Sequence, residues 1–232
     1  MARGAALRTA GRVILAACAA GCAVLAYLFV TLPDVRPLRG TSPPTTAFIE
    51  LRAREARARG KTPRRVQSWV PYSRISPMLT KAVLVTEDDA FWQHEGIDFE
   101  QIRESLETNL KRGTFPRGAS TITQQLAKNL YLSPSRDPLR KLRELFISRR
   151  LEAELTKRRI LELYLNVIEW GDGIYGVEAA ARTYFGKPAA DLDAGESALL
   201  AGAIFNPRVL NPARPSPGLL RRQRLILDRM SQ

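Results

Sequence analysis

The stretch "RRILELYLNVIEW", residues 158–170, decides the fold class. Its apolar residues recur at intervals of three and four, which is the spacing of one face of an α-helix rather than the alternation of a strand. The residues on that face are Ile160, Leu163, Tyr164, Val167 and Ile168. From residue 76 onward most segments show the same periodicity, and no run alternates convincingly as a strand does. We therefore predict a mainly α-helical domain.

The composition limits the function classes. At 232 residues the chain is long enough for one catalytic domain with an anchor, but too short for two full-sized catalytic domains. Its 36 Lys and Arg residues against 23 acids give a net charge of +13, so the surface should attract phosphates of nucleic acid or of lipid headgroups. With one His, and both Cys in the apolar N-terminal stretch, a zinc site of the His/Cys type is excluded. A metal would be a hard ion such as Mg2+ held by carboxylates, and nothing indicates an organic cofactor.

An apolar segment precedes the helical domain. Residues 13–32, "VILAACAAGCAVLAYLFVTL", carry no charge, and their length at about 1.5 Å per residue matches a hydrocarbon core of roughly 30 Å. We predict a single transmembrane signal anchor there, with residues 1–12 in the cytoplasm; a cleaved signal peptide and lipidation at Cys18 are the alternatives. In each case the rest of the chain lies outside the cytoplasm, which argues against nucleic acid as a partner.

Residues 33–65 are predicted to be a linker and juxtamembrane segment, leaving residues 66–232 as the catalytic domain. The first part is rich in Pro, Thr and Ser, as flexible connections are. The second part is rich in Arg and Ala and is either a short basic helix against headgroups or a solvated connector.

A first candidate site is "AVLVTEDDAFWQHEG", residues 82–96. Pro77 to Val85 has the pattern of an apolar helix, and Glu87 and Asp88 fall where it ends. Acids at a helix C-terminus oppose the macrodipole at a cost of about a few tenths of a kcal/mol, so their placement suggests a function; simple solvent exposure is the alternative. His94 is better suited to a hydrogen bond within a turn than to catalysis.

A second candidate is "RGASTITQQLAKNLYL", residues 117–132. With Ser120 as N-cap, the apolar residues face inward and Gln124 and Lys128 lie four apart on another face. Free N–H groups at the helix start and a nearby lysine suit an anionic ligand. An ordinary amphipathic helix is the alternative.

A third candidate is "SRDPLRKLRELFISRRLE", residues 135–152. Lys141 and Glu144 share a helix face, with Arg136 and Arg140 upstream. One carboxylate among several cations is typical of an ion-paired surface helix, and equally of a phosphate site with a metal-binding carboxylate.

These segments, with "ILELYLNVIEWGDGIYGVEAAARTYFGK" at residues 160–187, resemble glycosyltransferase family 51, the peptidoglycan glycosyltransferases. They occur in the family's order and spacing and cover about residues 69–211. "VIEWGDGIYG" is most similar to the monofunctional biosynthetic branch, and no Ser-x-x-Lys is present for a penicillin-binding transpeptidase. Ala119 departs from the common Gly, and its Cβ would crowd a backbone that must approach substrate closely.

The resemblance implies a partly lysozyme-like, all-helical domain on the extracytoplasmic face of the cytoplasmic membrane. It implies polymerisation of lipid II into β-1,4-linked glycan with inversion and release of polyprenyl pyrophosphate. The implied partners are lipid II, the growing glycan chain, the membrane and other cell-wall synthesis proteins. A lysozyme-like hydrolase and a non-catalytic precursor-binding protein are the rival hypotheses.

The resemblance also assigns roles to the candidate residues. Glu87 is the expected general base, and Asp88 tunes its pKa or binds the acceptor. Glu144 organises cations around the pyrophosphate or holds Mg2+. The expected substrate-binding residues are Asp88, Ser120, Gln124, Lys128, Arg136, Arg140 and Lys141.

Overall fold

The computed structural model describes residues 2–104, 120–133 and 137–232, and only the backbone of residues 2–10 and 13. The chain forms two compact units, residues 1–34 and residues 35–232. The first unit consists of α1 (Ala2–Val30). Over the described residues, no helix is both long enough and apolar enough to cross a membrane. The transmembrane helix predicted for residues 13–32 therefore stays a prediction.

The second unit is mainly helical, which confirms the predicted fold class. A further helical segment covers residues 99–104. The other helices of the second unit are labelled α2 (Ala47–Ala58), α3 (Pro77–Glu87), α4 (Ile122–Tyr131), α5 (Pro138–Glu154), α6 (Lys157–Val167), α7 (Val177–Phe185), α8 (Ala194–Ala203) and α9 (Pro217–Met230).

The face predicted from "RRILELYLNVIEW" is buried. Thr156 caps α6 by accepting a hydrogen bond from the Arg159 N–H at 3.2 Å, and the apolar stripe that follows faces the core. All five of its members are at most 4% exposed: Ile160, Leu163, Tyr164, Val167 and Ile168. The buried stripe lets α6 pack against α4 and α5.

The helices form two packed groups. In one group α3 packs against α8 and α9, which also pack on each other; in the other, α4 packs against α2, α5 and α6. Ser216 caps α9 and Pro217 occupies its first turn, as the sequence predicts. The end of α3 and the start of α4 are where the two groups meet.

A small sheet corrects the expectation of an all-helical domain. Strand β1 (Val66–Gln67) pairs in parallel with β3 (Ile174–Tyr175), and β2 (Glu169–Gly171) pairs with β3 in antiparallel fashion. Strands of two or three residues are too short to show alternation, so the sequence pattern misses them. In the turn between β2 and β3, Gly173 has φ +70°, and a Cβ there would lie 2.7 Å from the Arg64 carbonyl oxygen.

The segment predicted as a juxtamembrane connector contains α2, which belongs to the second compact unit. Thr46 caps α2 by accepting from the Ile49 N–H at 3.1 Å, and both residues are buried. Arg52 of α2 donates from Nε to the Glu169 carboxylate in β2 at 3.1 Å. The compact unit thus begins before the boundary predicted at residue 66.

Candidate active site

Glu87 is the last residue of α3. Ser76 caps the start of this helix, Pro77 opens its first turn, and the chain turns away at Asp88, whose φ and ψ are −169° and 81°. The acids therefore lie at the helix C-terminus, as predicted. Glu87 is half-buried, so its carboxylate is partly withdrawn from water at the junction of the two helix groups.

Asp88 joins α3 to α4. Its Oδ2 accepts from the Ile122 N–H at 2.9 Å and its Oδ1 lies 2.9 Å from His94 Nε2. His94 Nδ1 accepts from the Gly96 N–H at 3.0 Å, so the ring carries its proton on Nε2 and donates to Asp88. Asp88 is only 2% exposed and both carboxylate oxygens are engaged. This geometry fits a residue that positions Glu87 and α4, and it agrees with the structural role predicted for His94.

The start of α4 corrects the predicted register by one residue. Thr121, not Ser120, is the N-cap: its Oγ1 accepts from the Gln124 N–H, and the Gln124 side chain accepts from the Thr121 N–H. This reciprocal capping box draws Gln124 inward to 2% exposure. Gln125 and Lys128, three residues apart, are the half-exposed polar residues of the helix. Gln124 is therefore a capping residue, and Gln125 faces the site in its place.

Gln125 holds the carboxylate of Glu87. Its Nε2 donates to Glu87 Oε2 at 2.8 Å. Burial raises the pKa of Glu87, and the negative charge of Asp88 adds to that rise. The Gln125 hydrogen bond and the charges of Arg222 and Lys128 act in the opposite direction. A carboxylate with a raised pKa beside cations is suited to accepting a proton.

Lys128 brings a positive charge to the same place. Burial lowers its pKa, and the charges of Lys141 and Arg140 lower it further, while Glu144 and Glu87 raise it. In the described part of the chain the side chain of Lys128 makes no hydrogen bond or ion pair. Its ammonium group is therefore available for an anionic ligand, in a setting where desolvation strengthens the attraction.

Glu144 of α5 gathers the other cations. It is 3% exposed; Lys141 Nζ lies 2.5 Å from its Oε1, and Arg140 donates to its Oε2 at 2.7 Å. Lys141 also donates to Ser120 Oγ at 3.3 Å, which links α5 to the start of α4. These contacts thus bring together four of the predicted site residues, Ser120, Arg140, Lys141 and Glu144. Arg136 lies outside the described residues.

The contacts of Glu144 do not form a ready Mg2+ site. Both of its carboxylate oxygens already bind cations, so an ion would have to displace Lys141 and Arg140. Among the described side chains, the group with metal-ligand spacing is Asp88, His94 and Asp98, where both ring nitrogens of His94 and both oxygens of Asp88 are engaged. Mg2+ at Glu144 stays a prediction without geometric support.

A cavity of about 140 Å³ adjoins Gln125 and Lys128, and Arg52 of α2 also lines it. Arg222 of α9, whose guanidinium lies 5.1 Å from the Phe205 ring centroid, is close enough for its charge to lower the pKa of Glu87. The sequence interpretation missed Gln125, Arg52 and Arg222. The capping-box pattern Thr-x-x-Gln, formed by Thr121 and Gln124, would have shown that Gln124 caps α4 and therefore that Gln125 is the glutamine facing the site. Arg52 and Arg222 are distant in sequence from the other site residues and carry no local signal.

The Glu87 carboxylate, whose pKa is raised, lies within electrostatic range of Lys128, which has no ion-pair partner among the described residues. Lys128 in turn lies within range of the cations gathered by Glu144, and these features together define a class of enzyme. Such a site can take a proton from a nucleophile while it stabilises a departing anion. Group transfer with an anionic leaving group needs both functions.

The chain belongs to the transglycosylase family, which its residues 55–231 match. It is 49% identical over 191 residues to the biosynthetic peptidoglycan transglycosylase of Laribacter hongkongensis, covering 82% of this chain and 83% of that protein. It is 45% identical over 190 residues to the protein of the same name from Nitrosospira multiformis, with 82% and 83% covered. With that of Chromobacterium violaceum, identity is 50% over 163 residues, with 70% and 72% covered.

Proposed function

We propose that this protein polymerises lipid II into β-1,4-linked glycan strands during cell wall synthesis, with inversion at the sugar carbon and release of polyprenyl pyrophosphate. The observation that carries the proposal is Glu87, whose pKa is raised by burial and whose carboxylate lies within electrostatic range of Lys128. Similarity to proteins named biosynthetic peptidoglycan transglycosylase supports the choice of substrate.

Glu87 acts as the general base. The 4-hydroxyl of the acceptor sugar is a weak nucleophile until it loses its proton, and a carboxylate within hydrogen-bond reach can take that proton as the new C–O bond forms. Burial raises the pKa of Glu87 and so makes it a stronger base than a solvated glutamate. Gln125 holds one carboxylate oxygen, which leaves Oε1 for the hydroxyl proton.

The cations act on the leaving group. A pyrophosphate departs as an anion when its bond to the sugar carbon breaks, so it needs charge stabilisation rather than a proton from a second carboxylic acid. Among the described residues, Lys128 offers an ammonium group without an ion-pair partner, and Lys141 and Arg140 supply positive charge around it. The predicted role of Arg136 in binding the pyrophosphate remains a proposal based on the family resemblance.

Glu144 holds two of these cations in place through its carboxylate. Without it, Lys141 and Arg140 would repel each other and Lys128. This organising role needs no metal.

The lipid tail of the substrate requires a site beside a bilayer. We propose that residues 13–32, which carry no charge, anchor the protein in the cytoplasmic membrane with the catalytic unit on the extracytoplasmic side. The growing glycan chain is then the second partner, and other cell-wall synthesis proteins are further proposed partners.

The nearest rival, a lysozyme-like hydrolase, needs a second carboxyl group beside Glu87. Among the described residues of the site, Asp88 is buried with both carboxylate oxygens bonded, and the carboxylate of Glu144 is bound to two cations. Neither is placed as a free nucleophile or as a base for water, which favours the transferase.

The test supplies the purified full chain with labelled lipid II and, separately, with finished peptidoglycan. The proposal expects longer glycan and polyprenyl pyrophosphate from lipid II, and no cleavage of finished peptidoglycan. Muropeptides from finished glycan alone would establish the hydrolase instead. Lipid II binding without polymer, unchanged in Glu87→Gln, would indicate a non-catalytic binding protein.

A further inference from the structure

Three side chains from three helices form a hydrogen-bonded chain that ends on the proposed base. Tyr164 of α6 is 0% exposed, and its hydroxyl donates to Gln125 Oε1 at 2.9 Å. The other end of the same amide, Gln125 Nε2, donates to Glu87 Oε2 at 2.8 Å. Among the described residues, hydrogen bonds therefore link Tyr164 to Glu87 through Gln125.

The two hydrogen bonds that join Tyr164, Gln125 and Glu87 have a fixed donor-to-acceptor direction. An ionised carboxylate only accepts hydrogen bonds, so Glu87 requires the NH2 end of Gln125, and the amide oxygen then requires a donor on its other side. Burial, with the negative charges of Glu87 and Asp88, raises the pKa of Tyr164 well above its usual value. Tyr164 thus keeps its proton and always donates. A flipped amide would place its oxygen against the Glu87 carboxylate.

We infer that Tyr164 is a positioning residue for the reaction: its hydroxyl locks the Gln125 amide in the orientation that donates to Glu87. The inference rests on the proposed role of Glu87 as general base. The locked amide favours the ionised carboxylate and so opposes the effect of burial. Without the hydroxyl, the restraint left on the amide besides Glu87 is a long hydrogen bond of 3.4 Å from Gln125 Nε2 to the Ser120 carbonyl oxygen. The amide can then rotate more freely about its terminal bond, and Glu87 should hold its proton more tightly.

The other charges that act on Glu87 stay in place when the hydroxyl is removed. They are Lys128 on α4, Arg222 on α9 and Asp88 at the end of α3 itself. None of them hydrogen-bonds Tyr164. A change from Tyr164 to Phe therefore isolates the hydrogen-bonded chain from the electrostatic surroundings of the base.

The first experiment compares the pH dependence of lipid II polymerisation for the parent protein and Tyr164→Phe. We expect the acidic limb to move to higher pH by about half a unit, from the loss of one weak to moderate hydrogen bond. The rate on the alkaline plateau should stay within roughly threefold. Tyr184→Phe is the matched control, because its hydroxyl donates to the Trp170 carbonyl at 3.2 Å and is not part of the chain to Glu87.

The second experiment repeats the change in a Gln125→Ala background. If Tyr164 acts through Gln125, adding Tyr164→Phe should move the acidic limb no further. A shift of the same size with and without Gln125 would overturn the inference. A uniform loss of rate at every pH, with the limb unmoved, would also overturn it, because that would show a purely structural role.

A titration without substrate separates this inference from the proposed function. The Glu87 carboxyl signal, assigned by its loss in Glu87→Gln, is followed by carbon-13 NMR in the parent and Tyr164→Phe proteins. A higher midpoint in Tyr164→Phe supports the inference even if Glu87 proves not to be the base. An unchanged midpoint overturns it even if Glu87→Gln abolishes activity.

Discussion

Replacing Asp88 tests whether this residue positions the site or binds substrate. Asp88→Ala removes two hydrogen bonds to a carboxylate that is 2% exposed, and leaves the Ile122 N–H and the His94 ring without their acceptor. Losing such bonds in a buried place costs about 3 kcal/mol or more. For a unit of the size of residues 35–232, that corresponds to a fall in Tm of roughly 6 to 12 °C.

The assay is thermal unfolding of the full chain, with lipid II binding measured below the transition. Asp88→Asn should recover only part of the loss, because an amide offers one acceptor where His94 and Ile122 both donate. Asp89→Ala is the neighbouring control: its ion pair with Arg229 spans 3.2 Å at the surface, and such pairs contribute less than about 1 kcal/mol. An unchanged Tm for Asp88→Ala, with weakened lipid II binding, would refute the positioning role.

Three further predictions concern the charges of the site. Lys128→Ala should lose most lipid II turnover while its Tm is kept or raised, since burial lowers the pKa of this lysine and its charge therefore destabilises the fold. Lys81→Ala, at an exposed lysine, is the control, and near-normal turnover by Lys128→Ala would contradict the role of Lys128. Glu144→Gln should lower turnover to the same degree with Mg2+ and with chelator, whereas a loss seen only with Mg2+ would favour a metal site. Glu87→Gln should raise the Tm at neutral pH, because a raised carboxyl pKa means that ionisation above the usual value destabilises the fold. At a pH well below the usual carboxyl pKa of glutamate, the gain in Tm should vanish. A gain in Tm that does not depend on pH would contradict this explanation.

The sequence predicts the helices in which apolar residues recur at helical spacing over several turns. The face of α6 and the cap of α9 are confirmed because each depends on residues within one or two turns. The short strands escape prediction because their pairing joins residue 66 to residue 174, and such contacts leave no local pattern. The connection of α2 to the catalytic unit is missed for the same reason, since it depends on Arg52 meeting Glu169.

The site shows a similar division. Glu87, Lys128 and Glu144 are predictable from the sequence because they match the motifs of the family it resembles, and the structure brings the two carboxylates within electrostatic range of Lys128. The register of α4 decides which glutamine meets the base, and it depends on the choice between Ser120 and Thr121 as N-cap. Periodicity does not make that choice, whereas the hydrogen bonds of the capping box do.

Whether Glu87 is the general base is tested most directly by a single-turnover measurement with labelled lipid II. Parent protein and Glu87→Gln are compared at concentrations that saturate binding, so that the rate of bond formation is observed. We predict that Glu87→Gln binds lipid II like the parent and forms glycan at least about a hundredfold more slowly. Glycan formation by Glu87→Gln at a rate close to that of the parent would contradict it.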